Sequence, residues 1–402
     1  MMVLKKNDFS VAKISGVIVL LVMMFPWVSF NILQADTQPW YIIISAGYVF
    51  FCWRKKLPLI VISGYSLPLI ALLVGIYYIE SFGRLSYRAI FSYFGLAVSV
   101  HAYYLYRKYY AENILGVIKF ANYIWLFAGL MQVVFGKYVF GFLVAARTTY
   151  DRGVTSLAPE PTYFAVVLVF LSWLIWIESG YRLTHGARLL IIINVISVVV
   201  LAKSAMGVVF ILLFLSVYLM TYALSKKAMY LILFLMPLLF VSSGENYYVE
   251  EESRVSKIYD KMKNDPLHII EEDASINSRV AHVAIPLYGV LSDYGKPHGY
   301  NVYAEQAESL VNYFDGIFWY GYGGDKIMSA LASSLYELGW FSVALVMYVV
   351  MLLRNTINIR HAFINTVIMF AYLMAAIPIA FPMTGMILAA SYINYRNKRI
   401  YA

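Results

Sequence analysis

Long apolar stretches separated by short polar segments fill most of the chain. A helix needs about 20 apolar residues to cross a bilayer, with a range of roughly 17–25. We therefore expect an all-α fold, a polytopic membrane helical bundle, with a single integral membrane domain over residues 1–402. The pattern predicts about twelve spans, at residues 14–33, 38–53, 57–79, 88–106, 114–135, 159–178, 187–202, 204–224, 228–243, 327–353, 361–380 and 382–395.

The composition agrees with a membrane protein and excludes most soluble classes. Only 13% of the residues are charged and 62% are hydrophobic, whereas soluble proteins carry about 25% charged residues. Most basic residues flank the predicted spans, so the net charge of +9 sets orientation and does not indicate a nucleic-acid partner. We interpret the first apolar run, Val11–Leu33, as a retained first helix, because no clear cleavage site follows it.

Basic residues alternate between the two sides of the predicted bundle. Both tails and every second connection carry two or more lysines or arginines, and the other short connections carry almost none apart from Arg84, Arg88 and Lys203. The positive-inside rule then places both termini in the cytoplasm. Two longer connections, residues 136–158 and 244–326, would face outward, and we expect them to form the active site.

The longer outer segment, residues 244–326, has the composition of a soluble protein, with more acidic than basic residues. Residues Asn277–Gly289 are predicted to form a half-buried helix that places Arg279 and His282, three positions apart, on one face. We therefore expect a large outward-facing helical loop.

The motifs of several enzyme classes are missing. The sequence contains no nucleotide-binding loop, no HExxH, no GxSxG and no metal-ligand spacing of Cys and His. ATP-driven pumps, zincins and serine hydrolases are therefore not indicated. We expect neither a cofactor nor a metal, and the single cysteine, Cys52, cannot form an internal disulfide.

Arginines in both outer segments are candidates for binding a phosphate group. Arg147 and Arg152 lie in the shorter segment and Arg279 lies in the longer one. An arginine stays protonated and offers a planar fork of donors that suits phosphate oxygens. Such arginines in a lipid-embedded protein indicate an anionic head group, for instance a polyprenyl diphosphate. The alternative for each is an ion pair with a local acid or contact with lipid phosphates.

Glu160 lies between Pro159 and Pro161 at the start of the sixth predicted span. A proline suits the first helical turn, and a carboxylate there is favoured by the helix dipole. One interpretation of Glu160 is therefore a helix-start carboxylate. The other is a group that orients or deprotonates a sugar hydroxyl, since a partly buried carboxylate suits that role.

Aromatic residues are candidates for contacts with sugar rings. Residues Asn312–Gly324 contain many of them, including Trp319 and Tyr320, and Tyr300 precedes this stretch. We predict Tyr300, Trp319 and Tyr320 as sugar-binding residues. The alternative is an interfacial aromatic belt, where Trp and Tyr are enriched in any membrane protein.

His282 and Lys203 are the remaining candidates. His282 is an acid–base candidate because of its residue type and its place beside Arg279. Lys203 precedes the small residues of Ser204–Gly207, which permit close approach of helices. Lys203 either extends to the lipid interface or contacts a diphosphate.

Four short elements also resemble one known family. Arg152-Gly153 with Pro159–Ala165 is similar to an R…EPxxFA element at the start of a helix. The elements that follow it are Lys203–Gly207, with a lysine where a small residue is usual, Asn277–Arg279, and Ser333–Gly339. Over roughly residues 84–345 the chain resembles the bacterial O-antigen polymerases, the Wzy-type polysaccharide polymerases.

The resemblance implies a membrane glycosyltransferase of lipopolysaccharide biosynthesis that works without a metal. It also implies a place in the bacterial inner membrane, with the active site on the periplasmic side. Such enzymes transfer a growing glycan from undecaprenyl diphosphate to the sugar of an incoming undecaprenyl-diphosphate-linked repeat unit. By resemblance, Arg152 and Arg279 would hold the donor diphosphate and Glu160 would orient or deprotonate the acceptor hydroxyl. The expected partners are this lipid-linked oligosaccharide, membrane lipids, a chain-length regulator and a flippase.

Three alternatives stay open at this point. An O-antigen ligase, which transfers the glycan to lipid A-core, also combines a large outer loop with arginines and uses a loop histidine, for which His282 is the candidate. A lipid-linked oligosaccharide transporter would also suit twelve helices, although its ionisable residues should lie within the spans. A membrane scaffold has no positive feature in its favour.

Overall fold

The protein is described from a computed structural model, which covers residues 6–29, 39–79, 83–111, 113–149, 152–222, 269–324, 326–354, 358–375 and 377–399. Over these residues the regular structure is helical, without a strand. The expected all-α fold is confirmed for this part of the chain. The predicted span at 228–243 and residues 244–268 of the outer segment lie outside it.

The helices run in the following order. They are α1 (Lys6–Met24), α2 (Trp40–Phe51), α3 (Leu59–Ser63), α4 (Ser66–Tyr77), α5 (Arg84–Tyr109), α6 (Ile114–Phe135), α7 (Pro161–Glu178), α8 (His185–Val200), α9 (Ala205–Tyr222), α10 (Ile269–Glu272), α11 (Ala274–Ser292), α12 (Tyr303–Val311), α13 (Ala330–Leu338), α14 (Val343–Arg354), α15 (Ile359–Met374) and α16 (Pro382–Arg399). Two 3₁₀ turns, Asn312–Phe314 and Gly339–Ser342, follow α12 and α13.

Apolar helices identify a membrane protein. Four stretches in the described residues are long and apolar enough to cross a bilayer, and they are Leu59–Tyr77, Ile114–Phe135, Pro161–Glu178 and Ala330–Arg354. Five shorter apolar helices accompany them, at Val11–Met24, Trp40–Phe51, His185–Val200, Ala205–Thr221 and Ile359–Met374. The predicted number of twelve spans is therefore not confirmed. Among the described residues, several of the predicted spans form helices shorter than a bilayer requires.

Helix ends differ from the predicted spans where a proline or glycine interrupts the apolar run. The first predicted span, 14–33, is wrong at its C-terminal end, because α1 stops at Met24, just before Pro26. The predicted span 57–79 is two helices that meet at Gly64 and Tyr65. A side chain at Gly64 would lie 2.5 Å from the Tyr348 hydroxyl, so a glycine is needed at this contact.

The helix α7 is the centre of the bundle. It packs against α6, α8, α9 and α16, and 78% of it is buried. Phe164 stacks on Trp125 of α6 with ring centroids 6.1 Å apart, and Phe170 packs against Tyr372 of α15 at 4.6 Å. The N-terminus of this central helix therefore fixes the position of whatever precedes it in the chain.

The outer helices expose apolar side chains. Phe127 and Leu130 of α6 are 62% and 53% exposed, and Ile192 and Ile196 of α8 are 49% and 54% exposed. A soluble monomer rarely shows such extended apolar surfaces, whereas a bilayer covers them. This surface agrees with membrane-spanning helices.

Helices α11, α12 and α13 have a smaller hydrophobic core of their own. Ala281 and Ile285 of α11, Ala307 of α12 and Ala332 and Tyr336 of α13 are its most buried members. The described part of the outer segment, residues 269–324, is therefore helical, as expected. Because α13 continues through a 3₁₀ turn into α14, this small core is joined directly to the bundle.

Candidate functional site

A cavity of about 590 Å³ opens at the N-terminal end of α7. It lies between the loop before α7, the first turns of α7 and α9, and the N-terminal half of α11. Its lining residues are Thr149, Arg152, Glu160, Thr162, Tyr163, Val166, Met206, Asp273, Ala274, Ser278, Arg279, Tyr320 and Met328. We call it the arginine cavity, because Arg152 and Arg279 reach it from segments more than a hundred residues apart.

The loop before α7 is held by one buried amide, Gln132 of α6. The Oε1 atom of Gln132 accepts hydrogen bonds from the backbone N–H groups of Thr155 at 2.9 Å and Ser156 at 2.6 Å. Its Nε2 donates to the carbonyl of Ser156 at 3.0 Å and to that of Lys137 at 3.0 Å. Backbone groups buried in an apolar bundle need hydrogen-bond partners. The single side chain of Gln132 is the partner of four such groups.

Close backbone contacts fix the same loop against the turn between α8 and α9. The N–H of Val154 donates to the carbonyl of Leu201 at 2.9 Å. A side chain at Gly153 would lie 2.2 Å from the carbonyl oxygen of Ala202, so the approach requires a glycine. Lys137 Nζ donates to the carbonyl of Thr149 at 2.9 Å and also to that of Arg152. The backbone of Arg152 is thus held from two sides.

The Arg152 side chain lines the arginine cavity and is half-buried. Among the residues that the structure describes, its guanidinium has no hydrogen-bond or ion-pair partner. A partly buried cation without a protein partner has lost some of its favourable interaction with water. An anionic ligand would replace that lost interaction by charge-assisted hydrogen bonds. Arg152 is therefore the clearest anion-binding group of the cavity.

Glu160 occupies the N-cap position of α7, and Pro161 follows in the first turn. Its carboxylate does not cap the helix by a side-chain hydrogen bond, and instead lies 3.5 Å from the Nη2 of Arg147. The Glu160 side chain is 27% exposed and lines the arginine cavity, whereas Arg147, at 52%, does not line it. The structure thus gives Arg147 the role of an ion-pair partner for Glu160.

The other wall of the cavity is built on Asn277, which is fully buried in α11. Its Oδ1 accepts from the backbone N–H groups of Trp319 and Tyr320, both at 3.1 Å. Its Nδ2 donates to the carbonyls of Ile270 at 2.9 Å and Ile317 at 2.6 Å. Asn277 therefore anchors the aromatic segment to the helix that carries Arg279, and Tyr320 of this segment lines the cavity.

Arg279 lies half a helical turn beyond Asn277 and also lines the cavity. Its Nη1 lies 3.2 Å from the Sδ of Met206 at the start of α9. Asp273 lies at the N-terminus of α11, where its Oδ1 accepts from the N–H of Ile276 at 2.9 Å. The cavity therefore holds two arginines and two carboxylates, and each carboxylate has a contact within the protein.

The turn of Lys203 and Ser204, which precedes α9, allows neighbouring helices to pack closely. Ser204 Oγ accepts from the N–H of Gly207 at 3.2 Å, which caps the helix. A side chain at Gly207 would lie 2.6 Å from Val198 and 2.7 Å from Ala165, so the small residue lets three helices meet. Lys203 is exposed, has a φ of +46°, and does not line the arginine cavity. The structure does not bring Lys203 to the other candidate residues.

His282 lies one turn beyond Arg279 in α11 but does not line the cavity. It is 1% exposed, and its Nε2 is 2.9 Å from the carbonyl oxygen of Gly321, so this nitrogen carries the proton. Burial lowers the pKa of His282, and the bond to Gly321 offsets this only in part. A neutral, enclosed imidazole of this kind has a structural role in the segment that follows Tyr320.

Two of the aromatic candidates, Trp319 and Tyr300, do not line the arginine cavity. Trp319 is 50% exposed, and its Nε1 donates to the carbonyl of Glu271 at 2.6 Å. Tyr300 is 3% exposed, and its hydroxyl donates to the carbonyl of Ala71 at 2.9 Å. Of the three predicted sugar-binding residues, the arginine cavity contains Tyr320.

Sequence reasoning missed Gln132 and Asn277, the two amides that position the cavity walls. A signal was present for Gln132, which is a lone amide in the apolar run Leu130–Phe135. An uncharged polar residue inside a span is costly unless it has partners, so it points to a buried contact. Asn277 carried no comparable signal, because its surroundings are polar.

Comparisons with other proteins do not place the chain in a family. No model of a known protein family matches it, and no characterised protein matches it significantly in sequence. Among the described residues, no three His, Cys, Asp or Glu side chains come together as a metal site would require. The geometry of the arginine cavity is therefore the basis on which a function can be inferred.

Proposed function

We propose that the chain is an integral membrane glycosyltransferase, a polysaccharide polymerase that uses a lipid-diphosphate-linked donor. The observation that carries this proposal is the convergence of Arg152 and Arg279 on one cavity, with the Arg152 guanidinium unpaired among the described residues. The cavity borders helices apolar enough to span a membrane, so a lipid head group reaches it directly. A diphosphate between two arginines satisfies both the charge and the planar geometry of their donors.

The proposed reaction needs no group beyond the protein and the two substrates. A hydroxyl oxygen of the acceptor sugar attacks the anomeric carbon of the donor glycan, and the bond from that carbon to the diphosphate oxygen breaks. The electron pair leaves with the diphosphate, whose growing charge Arg152 and Arg279 stabilise. The hydroxyl proton passes to the carboxylate of Glu160, which lines the same cavity and is kept near it by Arg147.

We also propose a cellular location and a membrane topology for the chain. We place the chain in a bacterial inner membrane with about twelve spans, both termini in the cytoplasm and the arginine cavity on the periplasmic side. The alternation of basic residues along the sequence supports this orientation. The undecaprenyl-diphosphate-linked repeat unit is then the substrate, and a flippase and a chain-length regulator are the partners that such a reaction requires.

The geometry of His282 favours the polymerase over the ligase. A ligase of the histidine type needs an imidazole in contact with its substrates, and His282 is enclosed outside the arginine cavity. If His282→Gln abolished transfer while lipid-linked polymer accumulated, the ligase would replace the polymerase as the proposed function.

The direct test replaces each arginine in cells that lack the native gene. Arg152→Ala and Arg279→Ala should each lower glycan transfer at least about 100-fold, as the loss of one charge-stabilising donor does in other enzymes. Single lipid-linked repeat units should then persist, which gel analysis of the extracted glycans measures. Arg152→Lys keeps the charge but not the planar fork and should recover only part of the activity.

Lys296→Ala is the matched control, since Lys296 is an exposed cation of the same outer segment that does not line the cavity. It should leave chain length unchanged at equal expression. Full-length polymer in both arginine variants would refute the diphosphate site. Loss of in vitro transfer on adding a chelator would refute a metal-independent mechanism.

A further inference from the structure

A second cavity, smaller than the first, lies between α5, α13 and residues 299–303. Its volume is about 70 Å³, which is room for roughly five water molecules at about 10–15 Å³ each. We call it the Glu337 cavity, because the carboxylate of Glu337 in α13 lines it. Lys326 and Ile327 line this cavity while Met328 lines the arginine cavity, so a single short segment separates the two.

Glu337 contacts two hydroxyl groups, and the charge of Lys326 also acts on its carboxylate. Its Oε1 accepts from the hydroxyl of Ser333 at 2.8 Å, and its Oε2 lies 3.5 Å from the hydroxyl of Tyr93. No basic side chain lies within ion-pair distance of it among the described residues. A half-buried carboxylate in such a position accepts hydrogen bonds strongly from any donor that enters the cavity.

Glu178, a carboxylate at the C-terminal end of α7, shows the contrast. It receives the Nε of Arg107 at 2.8 Å and the hydroxyl of Tyr103 at 2.7 Å. Its side chain is completely buried, and the charge of Arg107 neutralises it. Glu178 therefore has a structural role, whereas Glu337 has hydroxyl partners, lines a cavity and has capacity for a ligand.

The rest of the cavity suits a sugar. Tyr300 and Tyr336 are buried residues of the cavity wall, and their rings supply apolar surface beside the C–H groups of a sugar edge. Tyr303 also lines the cavity, and its buried hydroxyl has no hydrogen-bond partner among the described residues. An unsatisfied buried hydroxyl in a native structure calls for an explanation, and a ligand hydroxyl supplies one.

Two cations, Arg88 and Lys326, border the mouth of the cavity and are exposed. They favour a ligand that carries a negative charge close to its hydroxyl groups. The small volume admits one edge of a single ring and excludes an oligosaccharide. The ligand chemistry is therefore the hydroxyl-bearing edge of one sugar with a nearby anionic group.

We propose that the Glu337 cavity binds the hydroxyl-bearing edge of the acceptor sugar, with Glu337 as the hydrogen-bond acceptor and Arg88 and Lys326 facing the anionic group. This inference rests on the proposed function, in which a second lipid-linked glycan must lie beside the donor. The segment of residues 326–328 between the cavities gives the two substrates adjoining positions. Glu337 is a positioning residue in this scheme.

The binding test uses the purified full-length protein in detergent and saturation-transfer NMR. The probes are the 1-phosphates of glucose, galactose, mannose, N-acetylglucosamine and glucuronic acid, with inorganic phosphate for comparison. At least one sugar phosphate should bind, and Glu337→Gln should weaken it about tenfold or more, as expected for the loss of a hydrogen-bonded charge. Inorganic phosphate should show no dependence on Glu337.

Two further variants keep the test decisive. Glu308→Gln makes the same chemical change on the exposed side of α12 and should not alter binding. Arg88→Gln changes an exposed side chain at the mouth, so it should fold even if Glu337→Gln does not. It should weaken binding of the sugar phosphates about threefold to tenfold.

The outcomes separate this inference from the proposed function. Binding that is lost in Arg152→Ala but kept in Glu337→Gln and Arg88→Gln would assign the sugar to the arginine cavity and overturn the inference. Absence of any Glu337-dependent signal across the probes would also overturn it. If Glu337-dependent binding persists while neither arginine variant shortens the glycan, the proposed polymerase fails and the sugar site stands.

Discussion

The arginine cavity and the Glu337 cavity share one short wall but are built in different ways. The first measures about 590 Å³ and is made mainly of loops and helix ends, whereas the second measures about 70 Å³ and is set among helices and tyrosine side chains. The first is lined by two arginines and two carboxylates, and the second by one carboxylate with two cations at its mouth. Loops held at a few points thus make a roomy anion site, while packed helices make a narrow site for hydroxyl groups.

Each wall of the arginine cavity depends on one amide. Gln132 fixes the loop that carries Arg152, and Asn277 fixes the segment that carries Tyr320. The Glu337 cavity has no such single support, because α5 and α13 are positioned by their own packing within the bundle. The two cavities should therefore respond differently to the same kind of mutation.

The largest effect is expected from Gln132→Leu. This change leaves the N–H groups of Thr155 and Ser156 and the carbonyl of Ser156 buried without their partner, at a cost of about 1–3 kcal/mol for each group. We expect a clear fall in the thermal unfolding temperature and loss of glycan transfer. Sugar-phosphate binding at the Glu337 cavity should survive in the folded fraction, which saturation-transfer NMR measures.

Val133→Leu is the control for Gln132→Leu, because Val133 is the next residue of α6 and is 59% exposed. It should change neither stability nor transfer. Equal loss of binding at both cavities in Gln132→Leu would show that the loop and the helices form one cooperative unit. The two cavities would then not be supported independently.

A smaller effect is expected at His282, and it depends on pH. Burial lowers the pKa of folded His282, so below about pH 6.5 the unfolded chain binds a proton that the folded chain does not. Stability should therefore decline as the pH falls through this range, by up to about 1.4 kcal/mol per pH unit, and level off below the folded pKa.

His282→Gln removes this proton uptake while an amide N–H still reaches Gly321. Thermal unfolding between pH 8 and pH 5 should give a flatter curve for the variant than for the native chain. Glycan transfer at pH 8 should change by less than about threefold. A native curve with the same slope as the variant would show that His282 is not held neutral by burial.

Three candidate residues predicted from the sequence come together in the structure, whereas several predicted span bounds differ from the helix ends. Arg152, Glu160 and Arg279 were singled out from a polar interruption and a residue pattern, and all three line one cavity. The bounds of α6 agree with the predicted span at 114–135, since a long apolar run without proline leaves little choice. The predicted span at 327–353 did not include the break between α13 and α14 at Gly339. The hydrophobicity of a long stretch does not register a single glycine with φ of +54°.

Other features lay beyond the sequence for a physical reason. The contact of Gly153 with Ala202, and the hydrogen bonds from Asn277 to the segment that carries Tyr320, join residues far apart in the chain. Local periodicity gives no information on such pairs. The same holds for Glu337, whose neighbour Tyr93 is 244 positions away.

The smallest effect is expected at Lys203, which the sequence proposed as a diphosphate contact. Lys203 is exposed, has a φ of +46° and lies outside both cavities. Asn tolerates this backbone region better than most residues. Lys203→Asn should therefore leave transfer unchanged and shift stability by no more than about 0.5 kcal/mol, as measured by thermal unfolding. A loss of transfer comparable to that of Arg152→Ala would extend the arginine cavity to this turn.

Gln132 also has a consequence for the biogenesis of the protein. During synthesis α6 enters the bilayer with an amide that has no partner in lipid, which is a costly state. Its partners Thr155 and Ser156 follow only 23 and 24 positions later in the chain. The ribosome adds that many residues within a few seconds at about 5–20 residues per second. The insertion machinery therefore has to keep α6 sheltered only until the next helix, α7, arrives, which makes α6, the loop and α7 a natural unit of co-translational assembly.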